Sequence, residues 1–209
     1  MKRVKNTFNL NISSVMSILL LIGEPGSGKC RMIKSIINDF DKILWITTTS
    51  SAEFVRRSVG SDPWIIDVFS WIRRKTHTEK DIVVTNPINL NEVSLAIGKA
   101  LEELRSDYLL ILNSISGLLI YHTPQKILHF IRNLIVRIEN ENASGIFTIV
   151  KDAHDKSVEN SVAMMFPSIA LLESGGVRFI KSIVPIETNF LDFDRAREIV
   201  LKILKTKYI

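Results

Sequence analysis

The sequence predicts a three-layer α/β/α sandwich on a mostly parallel sheet, with an antiparallel edge toward the C-terminus. Three observations predict it. Short, continuously apolar runs alternate with helix-period patterns, as expected of strands covered on both faces. A glycine-rich turn separates the first such run from the first helical pattern. Two late runs, at 169–173 and 177–184, are separated only by Ser174-Gly175-Gly176, which suits an antiparallel pair.

The expected elements follow in order. Residues 17–22 (SILLLI) form the first strand. A helix spans 29–40, with Met32, Ile33, Ile36 and Ile37 on one face. Residues 42–47 (KILWIT) form the second strand, 52–59 a short helix and 64–68 a third strand. A helix over 91–105 opens at Asn91 and carries Val93, Leu95, Ile97, Ala100, Leu101 and Leu104 as its apolar positions. Residues 108–112 (YLLIL) form a buried strand, 124–140 a long helix and 145–150 another buried strand. The late hairpin comes next, and a basic amphipathic helix over 195–207 closes the chain.

Length and composition bound what this fold can be. The 209 residues fit one domain, 1–209. Hydrophobic residues at 46% and charged residues at 23% supply a core and exclude a disordered chain. A single cysteine, Cys30, excludes an internal disulfide framework and a cysteine-based zinc cluster. A net charge of +5 allows an anionic partner without requiring one. No apolar run approaches the ~20 residues of a spanning helix. Met1-Lys2-Arg3 is followed by no small-residue cleavage site, so a cytoplasmic protein is expected, with no membrane partner.

The sharpest motif is Gly23-Glu24-Pro25-Gly26-Ser27-Gly28-Lys29-Cys30. It fits G-x-x-x-x-G-K, with cysteine where serine or threonine is expected. Glycines let the backbone curl so that successive N–H groups face a phosphate. The helix N-terminus adds its positive dipole end, and Lys29 adds a point charge. These eight residues are the expected nucleotide-binding set. A thiol at position 30 is a poor substitute for the hydroxyl that Mg²⁺ prefers.

With that loop placed, the chain resembles the RecA/KaiC-like branch of the P-loop NTPases. The stretch SDYLLILNSISGLLIY (106–121) is similar to that branch's Walker B strand and following loop. The stretch ILWITTTSSAEFVRRS resembles its second strand and turn. Residues 130–150 and the 169–184 hairpin resemble later strands, so the likeness covers most of the chain. It implies a RecA-like sheet, ATP and Mg²⁺ as cofactors, and assembly into homo-oligomers or with a RecA-family partner. The related archaeal paralogues imply a process in DNA recombination or repair. The isoleucine- and lysine-rich composition suits a thermophilic archaeon or its viruses.

The departures bear on chemistry. The Walker B aspartate position reads Asn113, which keeps the shape and loses the charge. Cys30 and Asn113 are therefore the candidate metal positions. The family's catalytic glutamates fall at Thr48 and Thr49, and threonine is no general base. The family's late-strand cation has Arg178 and Lys181 as candidates. Base catalysis is worth about 10²–10⁴-fold and metal stabilisation several kcal/mol more, so three losses together argue against efficient hydrolysis.

Other residues have two readings each. Asp152, His154 and Asp155 follow the 145–150 strand, where they either replace a missing catalytic or metal-binding group or form a polar surface loop. With Lys181, Asp152 and Asp155 are the candidate catalytic residues. Trp64 and Trp71 either stack on a base or pack in the core; His77, His122 and His129 have no partner at ligand spacing. Basic clusters at Arg56-Arg57, Arg73-Arg74-Lys75 and Lys202/Lys205/Lys207 fit DNA or a solvated face.

The leading expectation is an ATP-binding accessory or regulatory protein with weak or absent hydrolysis. The alternatives are an active ATPase with substituted residues and an interaction protein that binds no nucleotide. A small-molecule kinase would need an arginine-rich lid, and the sequence has none.

Overall fold

A computed structural model describes residues 16–70, 78–188 and 190–206. The strands among them are β1 (Ile18–Gly23), β2 (Ile43–Thr47), β3 (Trp64–Asp67), β4 (Asp81–Val83), β5 (Leu109–Asn113), β6 (Ser144–Val150), β7 (Ser168–Glu173), β8 (Gly176–Lys181) and β9 (Phe190–Leu191). The helices are α1 (Lys29–Ile36), α2 (Ala52–Ser58), α3 (Leu90–Leu104), α4 (Ile115–Leu119), α5 (Pro124–Asn140), α6 (Lys156–Ala163) and α7 (Phe193–Lys205). The strands form one sheet in the order β4-β3-β2-β5-β6-β1-β7-β8-β9. The first seven are mutually parallel; β8 pairs antiparallel with β7, and β9 in turn antiparallel with β8, at the edge.

The continuous apolar runs have a simple cause. Successive side chains point to opposite faces of a strand, and here both faces are covered. Leu20, Leu110, Leu112 and Phe147 pack with α3, α4 and α5 on one face. Leu19, Leu21, Leu109, Ile111 and Ile146 pack with α1, α2 and α7 on the other. The three-layer sandwich is thus as the sequence predicts.

Parallel pairing brings the C-terminal ends of β1, β2, β5, β6 and β7 to one end of the sheet. Gly23 lies opposite Val150 on one side and Leu172 on the other. Thr47 lies opposite Asn113. Backbone hydrogen bonds tie these ends together: Thr48 N donates to Asn113 O at 2.9 Å, and Lys151 N donates to Gly23 O at 3.1 Å.

Several local expectations are corrected. The helix expected from Asn91 begins at Leu90, and its cap is Asn89, whose Oδ1 accepts from the Asn91 and Glu92 amides at 3.1 and 3.4 Å. Leu95 is 74% exposed and takes no part in that helix's core face. The first helix ends at Ile36 and tightens into a 3₁₀ turn over Ile37–Asp39. The strand expected over 177–184 stops at Lys181. Four short elements were not expected: β4, α4, α6 and β9. Trp71, Arg73, Arg74, Lys75, His77 and Lys207 lie outside the described residues. No helix among the described residues is long and apolar enough to cross a membrane.

Candidate functional site

The loop between β1 and α1 curls as its glycines allow. Gly26 and Gly28 have φ of 81° and 99°, in the left-handed region that disfavours side chains. Gly23 is needed for a different reason: a Cβ there would stand 2.9 Å from the Leu172 carbonyl and would run into Ser27. Gly28 is the N-cap of α1, no side chain caps it, and no acidic residue occupies the first turn. The first N–H groups of α1 are therefore left to an external acceptor.

Lys29 is turned back onto this loop. Its Nζ donates to the Gly23 carbonyl, to Glu24 O at 2.8 Å and to Ser27 Oγ at 3.4 Å. Burial pushes its pKa below the ordinary lysine value, against the opposing pull of Cys30 and Glu24. Binding of an anion through Lys29 thus needs a proton on a group that releases it early. Affinity for a phosphate ligand is expected to fall as pH rises through this lowered pKa, before the ordinary lysine value is reached. A titration across the alkaline range checks it; affinity that stays flat up to the ordinary lysine value would refute it.

Beside the loop, Asn113 ends β5 almost fully buried. Its Nδ2 faces Cys30 Sγ at 3.6 Å, and its Oδ1 accepts from Thr148 Oγ1 at 2.9 Å. The structure thus brings together Cys30 and Asn113, but as an amide donating to a thiol. Mg²⁺ takes hard oxygen ligands, and this pair offers it sulfur and an amide hydrogen. Among the described residues, no three His, Cys, Asp or Glu side chains converge to hold a metal. The residues do not fit Mg²⁺.

The Asn113–Ser114 peptide bond is cis. Thr48 Oγ1 donates to Ser114 O and accepts from Ser114 N, both at 2.7 Å. Gly117 packs against the same threonine: a Cβ there would lie 2.7 Å from Thr48 Cβ. Thr48 is therefore a buried brace for the turn after β5, whereas Thr49 is exposed. Ser116 Oγ accepts the Val150 N–H at 2.9 Å and lies 2.9 Å from His154 Nε2. His154 thus sits in a hydrogen-bond network that reaches the loop through Lys151.

The other candidates are placed as follows. Asp152 is exposed, at φ 56°, with its carboxylate 3.8 Å from Lys151 Nζ. Asp155 is exposed at the N-cap of α6 without a side-chain capping bond. Lys181 pairs with Ile169 at the start of β7, the end of the sheet opposite its own chain's loop, and donates to Phe166 O at 3.0 Å. The antiparallel return of β8 carries it there, so within one chain it does not join the loop. Arg178 pairs with Glu173 at 3.1 Å. Arg56 is bound to Asp81 and Asp62, and Arg57 to Glu53, so this basic pair is a set of internal ion pairs. Trp64 packs against the core.

Sequence reasoning missed the surroundings of the loop. A cavity of about 680 Å³ opens beside it, lined by Glu24–Ser27, Arg31, Lys151, the β7–β8 turn from Glu173 to Gly176, and Phe193. Its size is that of a small-molecule site. The Arg31 guanidinium lies 4.2 Å over the Phe193 ring. The signal for Arg31 was its place directly after Lys29-Cys30; nothing in sequence tied Phe193 to it.

No protein-family model matches the chain, and no curated protein does. Solved structures do. A KaiC-like protein of the hyperthermophilic archaeon Pyrococcus horikoshii superposes with a TM-score of 0.54 at 17% identity, covering 84% of this chain and 82% of that one. An uncharacterised protein of the same organism, crystallised with an unknown peptide, gives 0.57 at 14% identity, covering 81% and 85%. A third P. horikoshii protein gives 0.58 at 11% identity, covering 86% and 93%. At these identities the likeness speaks for the fold alone: a mostly parallel, RecA-like α/β sheet of the kind found in the KaiC-like protein.

Proposed function

We propose that this protein binds a nucleoside triphosphate, ATP in the first instance, in the loop Gly23–Cys30, with hydrolysis weak or absent. The single observation that carries the binding is an uncapped helix start beneath two left-handed glycines, with the Lys29 ammonium already inside the curl. An anion there would replace the carbonyls of Gly23 and Glu24 as the acceptors of Lys29 and would meet the first amides of α1. The reading of weak hydrolysis is supported by what stands around the loop. Asn113 and Cys30 face each other, Thr48 is a brace and Thr49 is exposed, so no carboxylate base is in place at these positions.

A protein of this kind would use nucleotide as a ligand that favours one conformation or assembly. The KaiC-like fold supports a ring or filament of copies, or a RecA-family partner, as the setting for that role. A regulatory or accessory part in DNA recombination or repair rests on the resemblance of the sequence alone. The direct test pairs binding with turnover. Fluorescent ATP-analogue binding is expected to occur, with steady-state phosphate release no higher than that of a Lys29→Ala control. Robust release that depends on Lys29 would overturn the weak-hydrolysis reading, and absence of analogue binding would overturn the nucleotide reading.

A further inference from the structure

A triphosphate carries several negative charges, and they must be met. The usual means is a divalent cation, but the two positions beside Lys29 present a thiol and an amide, with the amide oxygen already accepting from Thr148. The cavity that opens beside the loop, along Glu24–Ser27, offers another source of charge. Arg31 lies in the first turn of α1 and lines the wall next to Gly26 and Ser27. It is anchored by stacking on Phe193 at 4.2 Å, with no carboxylate partner among the described residues. Lys151 lines the same cavity from the end of β6; its backbone N–H is fixed to Gly23 O at 3.1 Å, and its Nζ stands 3.8 Å from the exposed Asp152 carboxylate, a loose ion pair with which a phosphate would compete. Two carboxylates also line this space. Glu173 is neutralised by Arg178 at 3.1 Å, and Glu24 is exposed at the mouth.

We infer that this chain binds its nucleoside triphosphate without a divalent metal, Arg31 and Lys151 joining Lys29 as the counter-charge. The inference rests on the nucleotide reading of the loop. Arginine suits this role because it stays charged at every accessible pH and its planar fork can grip two phosphate oxygens at once. Stacking on Phe193 holds that fork beside the loop before ligand arrives, which lowers the ordering cost of binding.

The test is a titration of a fluorescent ATP analogue in excess EDTA and again in excess Mg²⁺. The two dissociation constants are expected to agree within about threefold, a small step on the affinity scale. Arg31→Ala is expected to weaken binding about tenfold in both conditions, the loss of one charge-assisted contact, with an unchanged circular dichroism spectrum. The double variant Cys30→Thr/Asn113→Asp restores a hydroxyl and a carboxylate, and is expected to gain Mg²⁺-dependent tightening of about tenfold. Wild-type binding that depends on Lys29 and tightens more than tenfold with Mg²⁺ would overturn the metal-free claim and leave the loop reading standing. No binding in either condition would sink both. Arg31→Ala binding like wild type in EDTA would remove Arg31 from the counter-charge. The wild-type comparison needs no variant to fold.

Discussion

Lys29→Ala is expected to weaken nucleotide binding by about 100-fold or more, the loss of two charge-assisted hydrogen bonds at about 1.5 kcal/mol or more each. The geometry makes the effect specific. Lys29 Nζ already contacts the carbonyls of Gly23 and Glu24 and the hydroxyl of Ser27, so its reach covers the whole curl of the loop. Removing it takes away the ammonium that contacts the loop's own carbonyls and the Ser27 hydroxyl. Lys29→Arg is expected to recover little, because a planar fork does not fit a place shaped around a compact ammonium. The check is a binding titration with circular dichroism and thermal melting as controls. Affinity of Lys29→Ala within threefold of wild type would show that the ligand, if bound, lies elsewhere.

Arg56→Met is expected to cost about 3–5 kcal/mol of stability, the range for removing one partner of a buried ion pair. Asp81 is 4% exposed on the edge strand β4. Arg56 meets it with Nε at 3.2 and 3.4 Å from its two oxygens and with Nη2 as well, while also donating to Asp62 and to Pro63 O. With methionine in its place, the buried Asp81 carboxylate would lose the guanidinium that holds both of its oxygens. The pair as a whole need not be stabilising, since apolar replacement of both partners is often neutral. Arg56→Met/Asp81→Leu is therefore expected to regain more than half of the loss. Denaturant unfolding of the three variants decides it. A single-variant loss under about 1 kcal/mol would place the pair among surface ion pairs.

This ion pair also shows what a sequence conceals. The long elements were legible because their physics is local. Apolar runs such as SILLLI and YLLIL mark strands buried on both faces, and α5 carries its 3.6-residue period from Pro124 to Asn140. The loop was legible because glycine is needed where φ is positive, and Gly26 and Gly28 are such places. The rest depends on contacts distant in sequence. β4 has three residues and an aspartate, so nothing marks it until Arg56 arrives from α2. α6 buries only Val162 among its residues and so has no apolar stripe. Thr48 reads as an empty catalytic position until Ser114, sixty-six residues on, is found against its hydroxyl. Which end of the sheet Lys181 occupies emerges only when the hairpin's return is counted out residue by residue.

The backbone bond from Lys151 to the Gly23 carbonyl has a wider consequence. Gly23 is the point where β1 becomes the loop, and the neighbouring amide of Val150 is gripped by Ser116 on α4. A pull on the loop is thereby passed sideways through two adjacent peptide units into the short helix that follows Asn113, and from Ser116 onward to the ring of His154. Two segments far apart in sequence, 115–119 and 151–155, are thus fastened to the same point of the backbone.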